Sequence, residues 1–364
     1  MKRIKVSLAR SHDDSYDLLI GRDILERACL EIARMDSVGR MIVIADSQVA
    51  ALHGDRFVNL LTRSGMPAEL LSFPAGEASK TMETVLSIAT QLLERRADRA
   101  TALVALGGGV TGDLAGFTAS IYMRSVPLIQ VPTTLIGQVD SSIGGKTGVD
   151  FVGGKNLLGS FYQPRQVIID LAFLDTLPGE EYRNGLAEVV KYGIIDDLEL
   201  FEYLETHASA IRAREPEVLQ TIVPQCCTIK KGIVEIDEHD RGIRRILNFG
   251  HTIGHALEGL SGFALSHGQA VSIGMAVEAR IAEQKGHLAR SDRERIDRLL
   301  DSLGLDRTVP SSMDTKDIVN KIGADKKREG DRLLFVLITR IGVPFINGSV
   351  DDRLIEDALG ELKA

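Results

Sequence analysis

Thr101-Ala102-Leu103-Val104-Ala105-Leu106-Gly107-Gly108-Gly109-Val110-Thr111-Gly112-Asp113 decides the fold. A short, almost wholly apolar run is followed at once by three glycines. Such a run, bounded by a turn, predicts a strand buried on both faces, the kind found in parallel sheets. Gly107, Gly109 and Gly112 fit the spacing G-x-G-x-x-G. After a strand and before a helix, that spacing lets a dinucleotide's pyrophosphate sit against backbone N–H groups. The fit is partial. The pattern wants an acid about twenty residues on, and Val131-Pro132-Thr133-Thr134 stands there instead. Asp46, which ends an earlier strand, is the better candidate for a ribose hydroxyl. A tight turn that needs glycine only for packing is the competing reading.

Outward from this turn, strand and helix signals alternate. Residues 41–46 and 69–73 read as strands, Ser47 starts a helical stretch to about Ser64, and residues 82–96 form an amphipathic helix. Strands over 126–131 and 166–170 follow, so βαβ units and a parallel sheet are expected. Residues 140–155, rich in glycine and polar side chains, are expected to be loops that approach a ligand closely. From Leu177-Pro178 onward helical periodicity dominates, with few strand signals before 333–337. The expectation is an α/β domain over residues 1–175 and a mainly α-helical domain over 176–364, with the boundary near 171–178.

Composition narrows the function classes. A chain of 364 residues has room for about two domains with separate cores. With 44% hydrophobic and 26% charged residues it reads as an ordinary soluble globular protein. No apolar run approaches a membrane span, and Met1-Lys2-Arg3-Ile4-Lys5-Val6 has no apolar signal core behind it. Cytoplasm is the expected compartment. Cys29, Cys226 and Cys227 offer neither a disulfide framework nor zinc-ligand spacing, and are expected to be buried thiols on helices. A net charge of -8 and a pI near 5.6 argue against nucleic acid as a partner. They also make any local group of lysines informative.

Chemistry concentrates in Leu247-Asn248-Phe249-Gly250-His251-Thr252-Ile253-Gly254-His255-Ala256-Leu257-Glu258 and the nearby Ser266-His267-Gly268. His251 and His255 stand four apart, which on a helix puts both imidazoles on one face. Spacing alone makes them a metal-ligand pair that still needs a carboxylate or a further histidine. Glu188 and Lys191, three apart in Asn184-Gly185-Leu186-Ala187-Glu188-Val189-Val190-Lys191-Tyr192, form either an exposed ion pair or a buried one. Leu186, Ala187, Val189 and Val190 crowd both sides, so Glu188 is the best candidate for the missing ligand. Lys146, Lys155, Lys191, Lys230, Arg124 and Arg244 all lie near glycine-rich or histidine-bearing segments. Singly each reads as a surface cation, whereas together they suit phosphate or carboxylate binding.

Several ordered motifs coincide. The glycine turn, Val131-Pro132-Thr133-Thr134-Leu135, Val139-Asp140-Ser141-Ser142-Ile143-Gly144-Gly145-Lys146-Thr147 and Gly154-Lys155-Asn156 lie in the first half. Ala187-Glu188-Val189-Val190-Lys191, the two-histidine stretch and Asp325-Lys326-Lys327 lie in the second. Together they resemble the 3-dehydroquinate synthase family, from Asp46 to about Gly342. The resemblance implies a Rossmann-like NAD-binding domain, a helical domain carrying zinc or cobalt, a substrate cleft between them, and a homodimer. It implies Glu188, His251 and His267 as metal ligands, with His255 given to the substrate near its phosphate. NAD contacts would come from Asp46, Glu77, Lys80, Gly108, Gly109, Asp113, Thr133, Thr134, Thr176 and Asn184, with Lys155 shared. Substrate contacts would come from Arg124, Asp140, Lys146, Asn156, Lys191, Lys230, Arg244, Asn248 and His255. A lysine of Lys326-Lys327 would meet the phosphate. Asp240 stands where the family usually has glutamate, so its carboxylate, expected to orient a cation, has a shorter reach.

The implied substrate is 3-deoxy-D-arabino-heptulosonate 7-phosphate (DAHP). The implied chemistry is oxidation at C5 by NAD, elimination of phosphate, return of the hydride, ring opening and an intramolecular aldol closure to 3-dehydroquinate. Two related readings share the architecture. A glycerol-dehydrogenase-like, metal-dependent NAD oxidoreductase has no use for so many anion-binding cations. A sugar phosphate cyclase acting on sedoheptulose 7-phosphate has no carboxylate to bind, whereas Lys230, Arg244 and Asn248 suit one.

Overall fold

The computed structural model describes residues 13–363 apart from Gly153, Phe263, residues 330–333 and Ser349, and apart from the side chains of residues 324–329. A six-stranded sheet organises the first half. Its order is β1 (Asp17–Gly21), β8 (Gln166–Asp170), β5 (Leu128–Pro132), β4 (Thr101–Gly107), β2 (Arg40–Asp46) and β3 (Ala68–Phe73). Every pairing in it is parallel. Successive side chains of a strand point to opposite faces, and β2 shows the result. Met41, Val43 and Ala45 pack in one core with α1 (Leu25–Ile32) and α3 (Asp55–Arg63). Ile42 and Ile44 pack in the other with α4 (Met82–Glu94) and α5 (Gly109–Ile121). The short α2 (Ser47–Val49) runs through a wide turn at Ala50–Gly54 into α3.

Strand order fixes where a ligand can lie. From β2 the chain passes to β3 at one edge, whereas β4 leads through β5 to β8 in the opposite direction. The C-terminal ends of β2 and β4 therefore flank a topological switch point, the crevice where such sheets bind ligands. Asp46 and the Gly107–Gly109 turn both stand there.

One expectation is overturned. Residues 140–155 are not plain loop: a wide turn at Gly137–Ser141 leads to an antiparallel hairpin of β6 (Lys146–Phe151) and β7 (Gly154–Phe161). Its glycines serve close packing. A Cβ at Gly159 would lie 2.2 Å from the Thr147 carbonyl oxygen, and one on Gly116 of α5 would lie 2.4 Å from the Thr147 side chain. Asp150 N–H donates to the Lys80 carbonyl at 2.9 Å, tying the hairpin to the sheet half.

Asp170, at the end of β8, closes the corner between β1 and α1. Its carboxylate accepts from the N–H groups of Asp23, Ile24, Leu25 and Ala172 at 2.8, 2.9, 3.2 and 3.0 Å. Asp170→Ala leaves several of these donors without acceptors, so we expect a loss of about 2–3 kcal/mol, read as a lower urea midpoint. Asp170→Asn, which keeps an acceptor oxygen, should lose less.

The second half is helical: α6 (Gly179–Ile195), α7 (Leu198–Arg212), α8 (Pro216–Ile236), α9 (His251–Leu260), α10 (His267–Gln284), α11 (Arg290–Leu303), α12 (Thr315–Glu329) and α13 (Asp352–Glu361). A small antiparallel pair, β9 (Phe335–Arg340) and β10 (Val343–Asn347), completes it. Helix α10 is its axis, buried all round from Ala270 to Ala282 and packed by α6, α9 and α11. It begins with a capping box, Ser266 accepting from Gln269 N–H while the Gln269 side chain accepts from Ser266 N–H. That box sets His267 as the first helical residue. The cysteines are buried thiols of α1 and α8.

Candidate active site

Three helices deliver one residue each to a common point. Glu188 comes from the middle of α6, His251 opens α9 and His267 opens α10. The Nε2 atoms of His251 and His267 lie 3.4 and 3.2 Å from Glu188 Oε1. One donor atom from each of the three lies within 4.8 Å of the others, with Glu188 wholly buried. His251 Nδ1 sits 3.1 Å from the Phe249 carbonyl, which leaves Nε2 to face the carboxylate. Burial alone would raise the Glu188 carboxyl, but Lys191 and His251 hold it well below the usual range. Burial alone would lower His267, yet the carboxylates of Glu188 and Glu258 outweigh it and lift the ring to about 9. Two imidazoles and a carboxylate form the donor set of a catalytic zinc-type site with coordination positions left open. His255 shares the His251 face of α9, with ring centroids 5.4 Å apart, but lies outside this trio and is exposed.

Beside the trio runs a chain of charges, buried at Lys191, Lys230 and Arg244 and exposed at Lys146. Lys191, on the turn after Glu188, pairs with it. Asp140 accepts from Lys230 at 2.6 Å and from the Tyr192 hydroxyl at 2.5 Å. Burial would raise Asp140, but Lys230 and Lys191 keep it far below the usual carboxylate range. Arg244 is buried, its guanidinium donating to the Gly144 carbonyl at 3.2 Å and to that of Glu238. Lys146 pairs with Asp240, and the other Asp240 oxygen is buried without a hydrogen-bond partner. In an acidic protein, Lys191, Lys230 and Lys146 thus each pair with a carboxylate, while Arg244 is held by two backbone carbonyls. Asn248 lies exposed just before this group, at the end of the 3-10 turn Ile243–Asn248.

The glycine turn forms a second centre at the N-terminus of α5. A Cβ on Gly108 would lie 3.0 Å from Thr134, and one on Gly109 would lie 3.2 Å from Ser141. The bare backbone is a cradle that side chains would fill. Thr133 N–H donates to the Gly107 carbonyl at 3.0 Å, and Thr134 Oγ1 accepts from Gly137 N–H at 3.1 Å. Lys80 bridges Asp113 and Asn156, each at 2.6 Å. Lys155 reaches Glu258 at 2.9 Å and stands 3.9 Å from Glu77. Asp46 caps α2 through the N–H groups of Gln48 and Val49.

Not every expected residue gathers here. Arg124 follows α5, a helix of 13 residues, so it stands about 20 Å along that helix from Gly109. It is exposed and outside the polar cluster. The Asn184 side-chain Oδ1 accepts from Gly268 N–H at the start of α10. Thr176 Oγ1 is engaged by the Phe173 carbonyl and by His53. Lys326 and Lys327 fall on side chains outside the described residues. Sequence reasoning gave no role to Tyr192, Glu258 or Glu278. Glu258 follows His251 and His255 at positions i+7 and i+3, the one signal that would have found it.

Comparison with known proteins gives this geometry a context. Residues 70–184 match the 3-dehydroquinate synthase N-terminal family and residues 185–328 match the C-terminal one. The chain belongs to the 3-dehydroquinate synthase family. A 3-dehydroquinate synthase of Dehalococcoides mccartyi is 42% identical over 363 residues, covering 100% of both chains. The solved structure of ValA, a 2-epi-5-epi-valiolone synthase from Streptomyces hygroscopicus with NAD+ and Zn2+ bound, is 30% identical with a TM-score of 0.90. It covers 98% of this chain and 99% of its own. A 2-deoxy-scyllo-inosose synthase complexed with carbaglucose-6-phosphate, NAD+ and Co2+ is 28% identical, covers 95% and 96%, and has a TM-score of 0.86. Membership of the 3-dehydroquinate synthase family makes the chain a carbocycle-forming, phosphate-eliminating enzyme. Among the described residues no helix is long and apolar enough to cross a membrane.

Proposed function

We propose that this chain converts DAHP to 3-dehydroquinate and phosphate, using NAD and a divalent ion, zinc or cobalt, in the cytoplasm. The observation that carries the reading is the convergence of Glu188, His251 and His267 beside the buried cations Lys191, Lys230 and Arg244. Residues 1–175 would hold the dinucleotide and residues 176–364 the ion, with the substrate between. The ion's donors would be Glu188, His251 and His267. The glycine cradle, Asp46 and the Lys80–Asp113 pair at the switch point would hold NAD. Bound together, the ion supplies Lewis acidity at a substrate hydroxyl and NAD a hydride acceptor that later returns the hydride.

The chain's own side chains do the rest. Lys191, Lys230, Arg244, Asn248 and Lys146 would bind the carboxylate and hydroxyls, with Asp140 and Asp240 fixing their positions. His255, Asn156, Lys155 and a lysine of Lys326-Lys327 would face the phosphate. Fixing one conformer of a flexible acyclic intermediate is what makes ring closure fast. Most of these cations are already paired within the chain, so substrate binding exchanges one acceptor for another. Contact of Arg124 with substrate would come from a second copy, and a homodimer fits the exposed apolar residues Ile121, Met123, Phe151 and Val152.

The test incubates the purified protein with DAHP, catalytic NAD and Zn2+ or Co2+. Phosphate and dehydroquinate are expected in equal amounts, with no net NADH. Net NADH without phosphate would make the protein a dehydrogenase. Turnover of sedoheptulose 7-phosphate but not of DAHP would make it a different cyclase.

A further inference from the structure

Glu258 has no part in the chemistry above, yet it touches two groups that do. Its side chain is 3% exposed. Oε1 accepts from Lys155 Nζ at 2.9 Å, and Oε2 lies 3.5 Å from His267 Nδ1, at the outer limit of a hydrogen bond. The opposite ring nitrogen, His267 Nε2, faces Glu188 at 3.2 Å. The imidazole of His267 is therefore held between two carboxylates.

A neutral imidazole carries one N–H, and its location decides which nitrogen can bind an ion. At His251 the Phe249 carbonyl takes Nδ1 and leaves Nε2 toward Glu188. Among the described residues no carbonyl takes that position at His267; Glu258 stands there. Both rings thus have an acceptor behind Nδ1 and converge through Nε2. An acceptor of this kind fixes the tautomer and the ring angle of a metal-binding histidine.

We infer that Glu258 is a positioning residue, holding His267 Nδ1–H so that Nε2 faces the ion site and tying that ligand through Lys155 to the β6–β7 hairpin. The inference rests on the metal site proposed above. Lys155 belongs to β7 and Glu258 to α9, so one carboxylate joins the sheet half to a ligand of the helical half. Glu258 also forms a second possible donor group with His255 and His267. Its Oε1 is already paired with the Lys155 ammonium, which favours the positioning role over direct ligation.

The test titrates Co2+ into metal-stripped full-length protein, following affinity, stoichiometry and the visible absorption of the bound ion. Glu258→Gln keeps an acceptor for His267 and is expected to weaken binding about 10-fold, and Glu258→Ala about 100-fold. One ion per chain and a shifted Co2+ spectrum are expected in both, with thermal unfolding of the stripped protein little changed. A change of fold alone would not produce the shifted spectrum or the partial rescue by glutamine. Wild-type affinity and spectrum in Glu258→Ala would overturn the inference, as would two ions per wild-type chain. Should Glu258→Ala not fold, Glu258→Gln decides the matter by the same readouts. Unchanged Co2+ binding in His251→Ala would instead overturn the metal site itself, so the two failures are distinct.

Discussion

His267→Ala is expected to purify without a divalent ion, whereas His255→Ala keeps the ion and loses turnover. The two histidines lie within one cluster, their ring centroids 6.3 Å apart, but they face different partners. His267 Nε2 points to Glu188, and its loss leaves only His251 and one carboxylate as donors. Two donors hold a zinc-type ion poorly. His255 is one turn along α9, apart from the Glu188 trio and exposed, so on the proposed reading its loss would remove a substrate contact. A misplaced substrate costs about 100-fold in rate. Metal analysis after desalting, with turnover measured on the same samples, checks both halves. Equal loss of metal from the two variants would place the ion in the alternative His255–Glu258–His267 group instead.

Gly274→Ala should be among the most damaging single-methyl additions in the chain. Gly274 lies inside α10 where it crosses the start of α9, and an added Cβ would sit 1.9 Å from the Gly250 carbonyl oxygen and 2.8 Å from its carbon. Both are backbone atoms, so no side chain can swing away. Gly250 is itself fixed, with φ of +80° and its N–H donating to Glu278 Oε2 at 2.7 Å. Helix α9 must therefore shift as a body, and His251 with it. We expect a destabilisation of about 3 kcal/mol, the upper end for overpacking, together with weaker metal binding. Gly254→Ala, whose Cβ would meet Ala270 and Val271 at 3.2 Å, should cost less. Thermal melts of the two variants rank them, and equal melting temperatures would contradict the close-crossing account.

Both variants act where helices begin, and that is where sequence was hardest to read. The central strands were legible because β2, β4 and β8 are short apolar runs buried on both faces. β1 has an equally short apolar run, Leu18-Leu19-Ile20, but lies half-buried at the sheet edge and was missed. The β6–β7 hairpin was hidden by its glycines, which suggest loops until their packing against α5 is seen. Spacing paired His251 with His255 because both lie on one face of α9. Of these two only His251 meets Glu188, since the trio assembles from two helix starts and the middle of a third helix, which spacing within one helix cannot relate. Glu188 and His267 are 79 residues apart, and family resemblance alone joined them in advance. Glu258 looks like any helical acid until the ring behind it is in place.

The internal pairing of the pocket's cations bears on which anions can enter. Lys230 is held by Asp140, Lys191 by Glu188 and Lys146 by Asp240. At the two buried lysines, Lys230 and Lys191, chloride or free phosphate would have to separate the pair while offering few contacts in return, and breaking a buried pair is costly. A sugar acid phosphate presents carboxylate, hydroxyls and phosphate at once and can meet several of these groups together. On the proposed reading these acids would act as gatekeepers: ambient salts would compete weakly, and when product departs each lysine would have its own carboxylate to return to.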